Sequence, residues 1–399
     1  MATQHLPSAL LESHTAVGIE FVSGLALCEA YFHECVKPLL EEHLPGLRYA
    51  AARIGKGSDV LGFDSPLSMD HDWGPQLHIF LSDEEGELKN EDLRSRIAQV
   101  LQRHLPAKFG GLYTRPHQHA IDTTADFLHE GTTPAITIFT LKSFLSSLNL
   151  NVPIDPLQWS IDNWLSCSSQ TLLELTAGKV FHDGLADASN YSSLKAFRSQ
   201  LSSFPHQVRL YLLASGWHLI ANENHLMSRA GQAGDELGSS LIGANLCACI
   251  MRMAFLYDDQ YAPYQKWFGS AFRALPSAAE LMIPLTQLQT ATDWQLRELN
   301  LCNACIALAK SHNRSGLTGP VPLPDQPQQF HTRPFRVFPA ADYEEALLGR
   351  VIAQFPRPPV GSVDFWSHIT DIREGARLPH QCPETRYILT SCDRDQLCE

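Results

Sequence analysis

The sequence predicts an α+β fold in which a mixed sheet domain is followed by an all-helical domain. Residues 1–150 combine amphipathic helical stretches with short apolar runs bounded by turns, an order typical of a sheet packed against helices. Residues 151–315 consist mainly of long segments with apolar residues three and four positions apart. Residues 316–399 begin with a Pro- and Gly-rich stretch, and we expect a mixed tail of loop and helix that packs back.

The elements of the first domain follow from periodicity. Residues 18–44 and 90–106 have helical spacing, and the second stretch places acidic residues early and basic residues late, as the helix dipole favours. Short β-rich runs predict strands at 47–55 and 76–83, and a third strand that begins at residue 135. The resulting order, helix, strand, turn, strand, helix, strand, is the basis of the mixed-sheet prediction.

Four long segments with 3.6-residue spacing predict the second domain. They are 157–181, 206–231, 236–261 and 296–313. The last one contains Cys302 and Cys305, a CxxC pair that we interpret as core thiols because no second pair stands at zinc-finger spacing.

Composition limits the classes of function. The chain has 399 residues, 44% of them hydrophobic, and a formal net charge of −13. An acidic protein is poorly suited to wrapping nucleic acid, although one basic pocket is compatible with this charge, and we expect no DNA partner. No stretch approaches the roughly 18 apolar residues of a membrane span, so we expect no membrane partner. Without an export leader, the ten cysteines indicate reduced thiols in a cytoplasmic protein.

The stretch GSDVLGFDSPLSMDHDWGP (57–75) is the strongest chemical signal. Gly57 and Ser58 form a predicted turn that would let phosphates approach the backbone closely. Asp70 and Asp72 flank one histidine, and on a strand they would face the same side. Two such carboxylates repel unless a cation such as Mg²⁺ lies between them. A polar turn with surface aspartates is the alternative, but the combination of both motifs favours a site.

These residues resemble the nucleotidyltransferase superfamily, and more closely a family of domains of unknown function within it. The similarity continues at 172–184, 233–272 and 330–338 and extends over roughly residues 25–370. The resemblance implies a nucleotidyltransferase-like mixed sheet domain with a helical half that closes over the substrate. It also implies site roles. Gly57 and Ser58 hold phosphate or a terminal ribose, Asp70 and Asp72 hold divalent metal, and Trp73 of the same signature belongs to the substrate site.

The chain departs from this family at one position. Such enzymes carry a third carboxylate on the next strand, and the corresponding position here is Thr137. A threonine is neutral and its hydroxyl is a poor base. Asp122 and Asp126 are substitutes if the register differs. Ordinary nucleotidyl transfer is therefore in doubt, while the pocket is retained.

Fungal cyclodipeptide synthases, which join arginine to a second amino acid taken from aminoacyl-tRNAs, resemble this family and would not need a complete metal triad. The leading hypothesis is such a synthase in secondary metabolism, with aminoacyl-tRNA as partner and Ser58 beside the 3′-terminal adenosine. Asp70 and Asp72, or Asp235 and Glu236, could pair with the arginine guanidinium. The alternatives are a metal-dependent nucleotidyltransferase that modifies a small hydroxylated molecule, and a non-catalytic nucleotide-binding protein.

Two further groups are candidates for substrate binding. Asp235 and Glu236 stand at a predicted helix start, where either capping or substrate contact explains them. An aromatic group with a single cation suits stacking on a purine or an aromatic amino acid, or else forms a core corner. Its members are Tyr261, Tyr264, Lys266 and Trp267.

Overall fold

The structure is a computed structural model that describes residues 20–70, 73–116, 131, 133–185 and 193–367. Its chain forms two compact units. The first comprises Met1–Ser147, Asn151–Leu157 and Leu173–Ser202, and the second comprises Leu148–Leu150, Gln158–Leu172 and Ser203–Glu399. This division differs from the predicted boundary at residue 150, because residues 173–202 return to the first unit. Of the predicted tail 316–399, the described residues 316–367 belong to the second unit.

The first unit is built on a four-stranded mixed sheet. The strands among the described residues are β1 (Ala50–Arg53), β2 (Leu77–Leu81), β3 (Lys108–Phe109), β4 (Leu112–Tyr113), β5 (Ile136–Thr140) and β6 (Lys179–Asp183) in this unit, and β7 (Gln328–Gln329) and β8 (Arg336–Val337) in the second. The sheet has the order β5-β2-β1-β6, whereas β3 and β4 form a separate ribbon. β1 is antiparallel to β2 and β6, and β2 is parallel to β5. The prediction of an α+β fold with a mixed sheet is confirmed.

The helices of this unit include the two predicted ones, the first of them interrupted, and two short helices that were not predicted. They are α1 (Gly24–Tyr31), a π-helical turn (Phe32–Val36), α2 (Lys37–His43), α3 (Glu87–His104), α4 (Leu141–Ser147) and α7 (Leu194–Gln200); between the last two lie α5 (Ile161–Ser166) and α6 (Ser169–Thr176). The segment predicted as one helix over 18–44 therefore contains a π turn. Pro38 follows that turn and has no backbone N–H, so a regular ladder could not continue through it.

One face of the sheet forms the main core of the first unit. Ala51, Leu77, Ile79 and Leu81 pack in one buried cluster with residues of the helices, including Phe32. Because side chains alternate along a strand, His78 and Phe80 face the opposite side of β2.

The second unit is mainly helical, as predicted. Its long helices are α8 (His206–Gln232), α9 (Glu236–Tyr257), α11 (Ala278–Thr290) and α12 (Trp294–Ser315), and the shorter ones are α10 (Gln265–Arg273), α13 (Ala340–Leu348) and α14 (Val363–Trp366). By length and composition α9 is apolar enough to cross a membrane, but 56% of that window is buried in the fold. Cys302 and Cys305 are free and buried in α12, as expected of core thiols.

The prediction of continuous helical structure over 157–181 is wrong. This segment forms α5 (Ile161–Ser166), α6 (Ser169–Thr176) and then β6. Cys167 ends α5 in an extended conformation, and Gly178 has φ +75°, a left-handed value that favours glycine. A side chain at Gly178 would collide with the carbonyl of Arg53, so glycine also permits β6 to pack against the end of β1.

Candidate active site

The Gly57–Ser58 turn is a tightly hydrogen-bonded loop at the end of β1. We call residues 55–63 the serine turn. The backbone N–H of Leu61 donates to the carbonyl of Gly57 (3.3 Å), and that of Phe63 donates to the carbonyl of Ser58 (2.9 Å). Gly57 has φ +132°, where glycine is favoured. The predicted turn is thus present, and its backbone is held by local bonds.

A buried ion pair links the end of β1 to the serine turn. Arg53, the last residue of β1, donates from Nε and Nη2 to the two oxygens of Asp59 at 2.7 and 2.8 Å. The exposed fractions of Arg53 and Asp59 are 4% and 3%. A Cβ atom at Gly57 would collide with the Asp59 carboxylate and lie 2.6 Å from Arg53 Nη2. Gly57 is therefore required by the ion pair as well as by its backbone angle.

The start of α1 closes the other side of the turn. The backbone N–H of Gly24 donates to Asp64 Oδ2 at 2.6 Å. A Cβ atom at Gly24 would lie 2.6 Å from Asp59 Cβ, so only glycine allows this approach. Asp59 and Asp64 thus hold the turn between β1 and α1, and their carboxylates have structural partners.

Unlike Asp59 and Asp64, Ser58 has no partner for its side chain among the described residues. It is half-buried, and its hydroxyl forms no hydrogen bond with another residue that the structure describes. Its carbonyl accepts a hydrogen bond inside the turn. No base that would activate the hydroxyl as a nucleophile hydrogen-bonds to it within the described residues, so its chemistry is that of a hydrogen-bonding group.

The acidic doublet is placed only in part. Asp70 ends a 3-10 helix over Pro66–Asp70, and β2 begins only at Leu77. The strand argument for Asp70 and Asp72 is therefore wrong, because the backbone at Asp70 does not alternate sides. Asp72 lies outside the described residues, as do Asp122 and Asp126. Within the described ranges, no group of three or more His, Cys, Asp and Glu side chains could hold a metal ion, and the Mg²⁺ site stays a prediction.

Trp73 lies in the core. It is 3% exposed and packs with Leu27 and Leu112. Its ring stacks on Phe21 with centroids 6.2 Å apart. These contacts explain Trp73 by packing, and its predicted role in substrate binding stays untested.

Thr137 lies on the strand next to β2. The parallel pairing of β2 with β5 places Thr137 opposite His78, and Thr137 is exposed. A neutral hydroxyl thus occupies the strand position where the family resemblance implies a third carboxylate.

His78 is a residue that the sequence analysis missed. Its ring contacts Phe139 (centroids 5.3 Å apart) and Phe144 (5.9 Å). Burial, with a contribution from Arg53, lowers the pKa of His78 to about 3, so the imidazole is neutral near pH 7. Its Nδ1 is buried without a hydrogen-bond partner in the described part of the chain. A histidine inside the apolar run QLHIFL was the available signal.

In the second unit, Asp235 and Glu236 are already engaged by the protein. Asp235 caps α9, accepting a hydrogen bond from the backbone N–H of Gly238 at 2.7 Å. Glu236 Oε2 accepts one at 3.0 Å from Arg297, which is 4% exposed. Capping and helix pairing therefore account for both carboxylates, and arginine recognition by them would have to displace these bonds.

The predicted aromatic group lies beyond the other end of α9. A helix of 22 residues is about 33 Å long, so this group and the Asp235–Glu236 pair do not form one site. Tyr261 is 6% exposed and packs edge-on against Phe204 (centroids 4.8 Å apart). Lys266 is exposed, with Nζ 5.0 Å from the ring centre of Trp267, which is half-buried.

Tyr264 borders a small cavity with a polar wall. Its backbone N–H donates to Gln170 Oε1 at 2.9 Å. On the same wall, Asp364 accepts bonds from the backbone N–H and hydroxyl of Ser169 at 2.9 and 2.8 Å. The cavity measures about 20 Å³, room for about one water molecule. Tyr264, one of the predicted substrate-binding residues, thus reaches a cavity, and the sequence analysis missed Gln170 and Asp364 on its wall.

Part of the chain matches a known domain family. Residues 164–268 match a family described as Domain of unknown function (DUF4037). The matched range contains Asp235, Glu236 and the aromatic group, but not the serine turn. Comparison with curated proteins gives no match.

One solved structure with a similar chain is a nucleotidyltransferase-like protein from Exiguobacterium sibiricum 255-15. The two sequences are 12% identical, and the alignment covers 75% of this chain and 83% of that chain with a TM-score of 0.32. Similarity at this level does not determine function, so the proposals below depend on the residues of this chain.

Proposed function

We propose that the protein is a transferase whose serine turn holds the adenosine or phosphate end of a nucleotide-bearing substrate. More specifically, we propose a cytoplasmic, tRNA-dependent cyclodipeptide synthase that joins arginine to a second amino acid in secondary metabolism. The observation that supports this choice is Thr137. It is neutral and exposed on the strand beside β2, where a metal-dependent nucleotidyltransferase would carry a third carboxylate.

The proposed reaction consists of two ester aminolysis steps and needs no oxidant or reductant. The α-amine of one aminoacyl ester attacks the ester carbonyl of the other, so that a peptide bond forms and one tRNA leaves with its terminal hydroxyl. The free amine of the dipeptidyl ester then attacks the remaining ester carbonyl. A second amide bond closes the diketopiperazine, and the second tRNA is released.

The proposed residue roles are as follows. The Ser58 hydroxyl, held in place by a rigid turn, would bind the ribose or phosphate of the tRNA 3′ end. Asp70 and Asp72 are the proposed partners of the arginine guanidinium, through bidentate bonds. They are preferred over Asp235 and Glu236, whose carboxylates already bind Gly238 and Arg297.

The test is product formation from charged tRNAs. The full chain is incubated with arginyl-tRNA and a panel of second aminoacyl-tRNAs, and arginine diketopiperazines are sought by mass spectrometry. We expect one or more such products, reduced about tenfold or more in Ser58→Ala and in Asp70→Asn, because each removes a charge-assisted or positioned hydrogen bond. Asp92→Asn, at a carboxylate 3.7 Å from Arg96 on α3, is the matched control and should leave the yield unchanged. No diketopiperazine across the panel would refute the synthase.

The Asp70–Asp72 doublet supports a second candidate, a metal-dependent nucleotidyltransferase that modifies a small hydroxylated molecule. Asp70 and Asp72 would hold Mg²⁺, which would neutralise phosphate charge. This candidate predicts consumption of ATP or another nucleoside triphosphate that requires Mg²⁺ and disappears in Asp70→Asn. Thermal stabilisation by ATP without turnover would instead indicate a non-catalytic nucleotide-binding protein and would count against both enzymes.

A further inference from the structure

The second unit contains a cavity of about 150 Å³ between α8 and α9. We call it the α8–α9 cavity. Its apolar wall consists of Leu219, Ile242, Leu246 and Phe365. An engineered protein cavity of about this size accommodates a benzene ring. The space is therefore sufficient for a medium-sized apolar side chain.

Three polar residues complete the lining: Glu223 from α8, and Asn245 and Arg252 from α9. Their spacing explains why they share one cavity. Glu223 lies four residues after Leu219, and Arg252 lies seven residues after Asn245, so each pair is on one helix face. Seven residues of helix rise about 10 Å, which separates the anchoring points of Asn245 and Arg252 by the length of a small molecule.

None of these three side chains is compensated by an opposite charge among the described residues, although Glu223 interacts electrostatically with His225 and Arg252 with the buried thiol of Cys249. No side-chain hydrogen bond or ion pair links Glu223, Asn245 or Arg252 to another part of the chain that the structure describes. The central carbon of the Arg252 guanidinium lies 5.5 Å from the ring centre of Phe268. Glu223 and Arg252 are half-buried, and partly buried charges without partners lose hydration without compensation.

A ligand that compensates both charges must itself carry two. An anion alone would satisfy Arg252 and leave Glu223 unpaired, whereas a cation alone would do the reverse. A zwitterion pairs with both, and the apolar wall requires that the rest of the ligand be hydrophobic.

We propose that the α8–α9 cavity binds a free α-amino acid with an apolar side chain, such as leucine or phenylalanine. Arg252 donates to the ligand carboxylate, Glu223 accepts from its ammonium group, and Asn245 hydrogen-bonds to either. An aminoacyl ester has no free carboxylate for Arg252, so this site is distinct from the esters of the proposed synthase. The inference therefore does not depend on the proposed function.

Calorimetric titration of the full chain, without tRNA or nucleotide, tests the site. Leucine and phenylalanine should bind saturably. Isocaproate, which lacks the amine of leucine, and isoamylamine, which lacks the carboxylate, should each bind about tenfold more weakly or worse, because each leaves one protein charge unpaired. Equal binding of leucine and either analogue would overturn the zwitterion assignment, and no binding of any amino acid at millimolar concentration would overturn the site.

Variants test the residues. Arg252→Gln and Glu223→Gln should each weaken leucine binding about tenfold or more. The matched control is Arg229→Gln, because Arg229 is an exposed arginine in the last turn of α8 and does not line the cavity. Thermal unfolding verifies that each variant is folded, and Glu223→Gln provides the test if Arg252→Gln is not. Unchanged affinity in both cavity variants, or an equal loss in the control, would contradict the proposal.

Discussion

Arg53 in the first unit and Arg252 in the second differ in what surrounds their charge. Arg53 is 4% exposed and makes two short bonds to Asp59, which is itself buried. Arg252 is half-buried, forms no hydrogen bond or ion pair with the described residues, and lies over the ring of Phe268. A buried charge that fixes a fold needs its partner in the chain, whereas a charge that meets a ligand receives its partner on binding. The difference separates a structural arginine from a candidate binding arginine.

The largest effect is expected from Asp59→Asn. It removes the charge that compensates buried Arg53, and breaking a buried pair costs about 3–5 kcal/mol of unfolding free energy. Urea unfolding measures the change. Asp259→Asn is the control, because Asp259 pairs with Arg209 at 3.2 Å but its side chain is 47% exposed, and such pairs contribute at most about 1 kcal/mol. Equal losses in the two variants would mean that the Arg53–Asp59 pair is not specially important.

An intermediate effect is expected from Gly57→Ala. The new methyl group would meet both members of the ion pair, at a backbone angle that disfavours alanine, for a cost of roughly 2–4 kcal/mol. Gly62→Ala is the matched control, since Gly62 also has positive φ (+74°) but a methyl group there would have no described atom within 4 Å. Only the backbone cost of about 1 kcal/mol should appear there. A Gly57→Ala protein as stable as Gly62→Ala would show that the turn tolerates a side chain.

The smallest effect on stability is expected from Arg252→Gln. Without an ion pair to lose, the variant forfeits chiefly the contact with Phe268, so the unfolding free energy should change by about 1 kcal/mol or less. Urea unfolding of Arg252→Gln beside Arg229→Gln measures this. A loss comparable to that of Asp59→Asn would identify a structural partner for Arg252 and would remove the distinction between the two arginines.

Element type was predictable where the periodicity is long and uninterrupted. The helices α8, α9 and α12 extend for 27, 22 and 22 residues, and their apolar spacing predicted them. The strand β6 was not predicted, because KVFHD follows a helical run directly. Its extended form is stabilised by pairing with β1, which is distant in the sequence. The local sequence pattern carries no information about such a contact.

The candidate site was predictable as a motif but not as a set of contacts. The Gly57–Ser58 turn exists as expected, whereas Trp73 is packed into a core cluster and Glu236 binds Arg297. Capping and core packing use the same residue types as substrate binding, so composition could not separate these roles. The lone Arg252 in the apolar run ACIMRMAFLY was a signal that could have been used.

The amino-acid sequence was enough to predict the long helices of the second unit, the glycine turn after β1 and the neutral residue at position 137, because each depends on local backbone preference or on residue identity. The folded chain was needed to show that Arg53 binds Asp59, that Glu236 binds Arg297, and that Arg252 borders a cavity without an ion-pair partner among the described residues. Which charges are compensated depends on chain segments brought together through space, and desolvation makes that distinction energetically decisive.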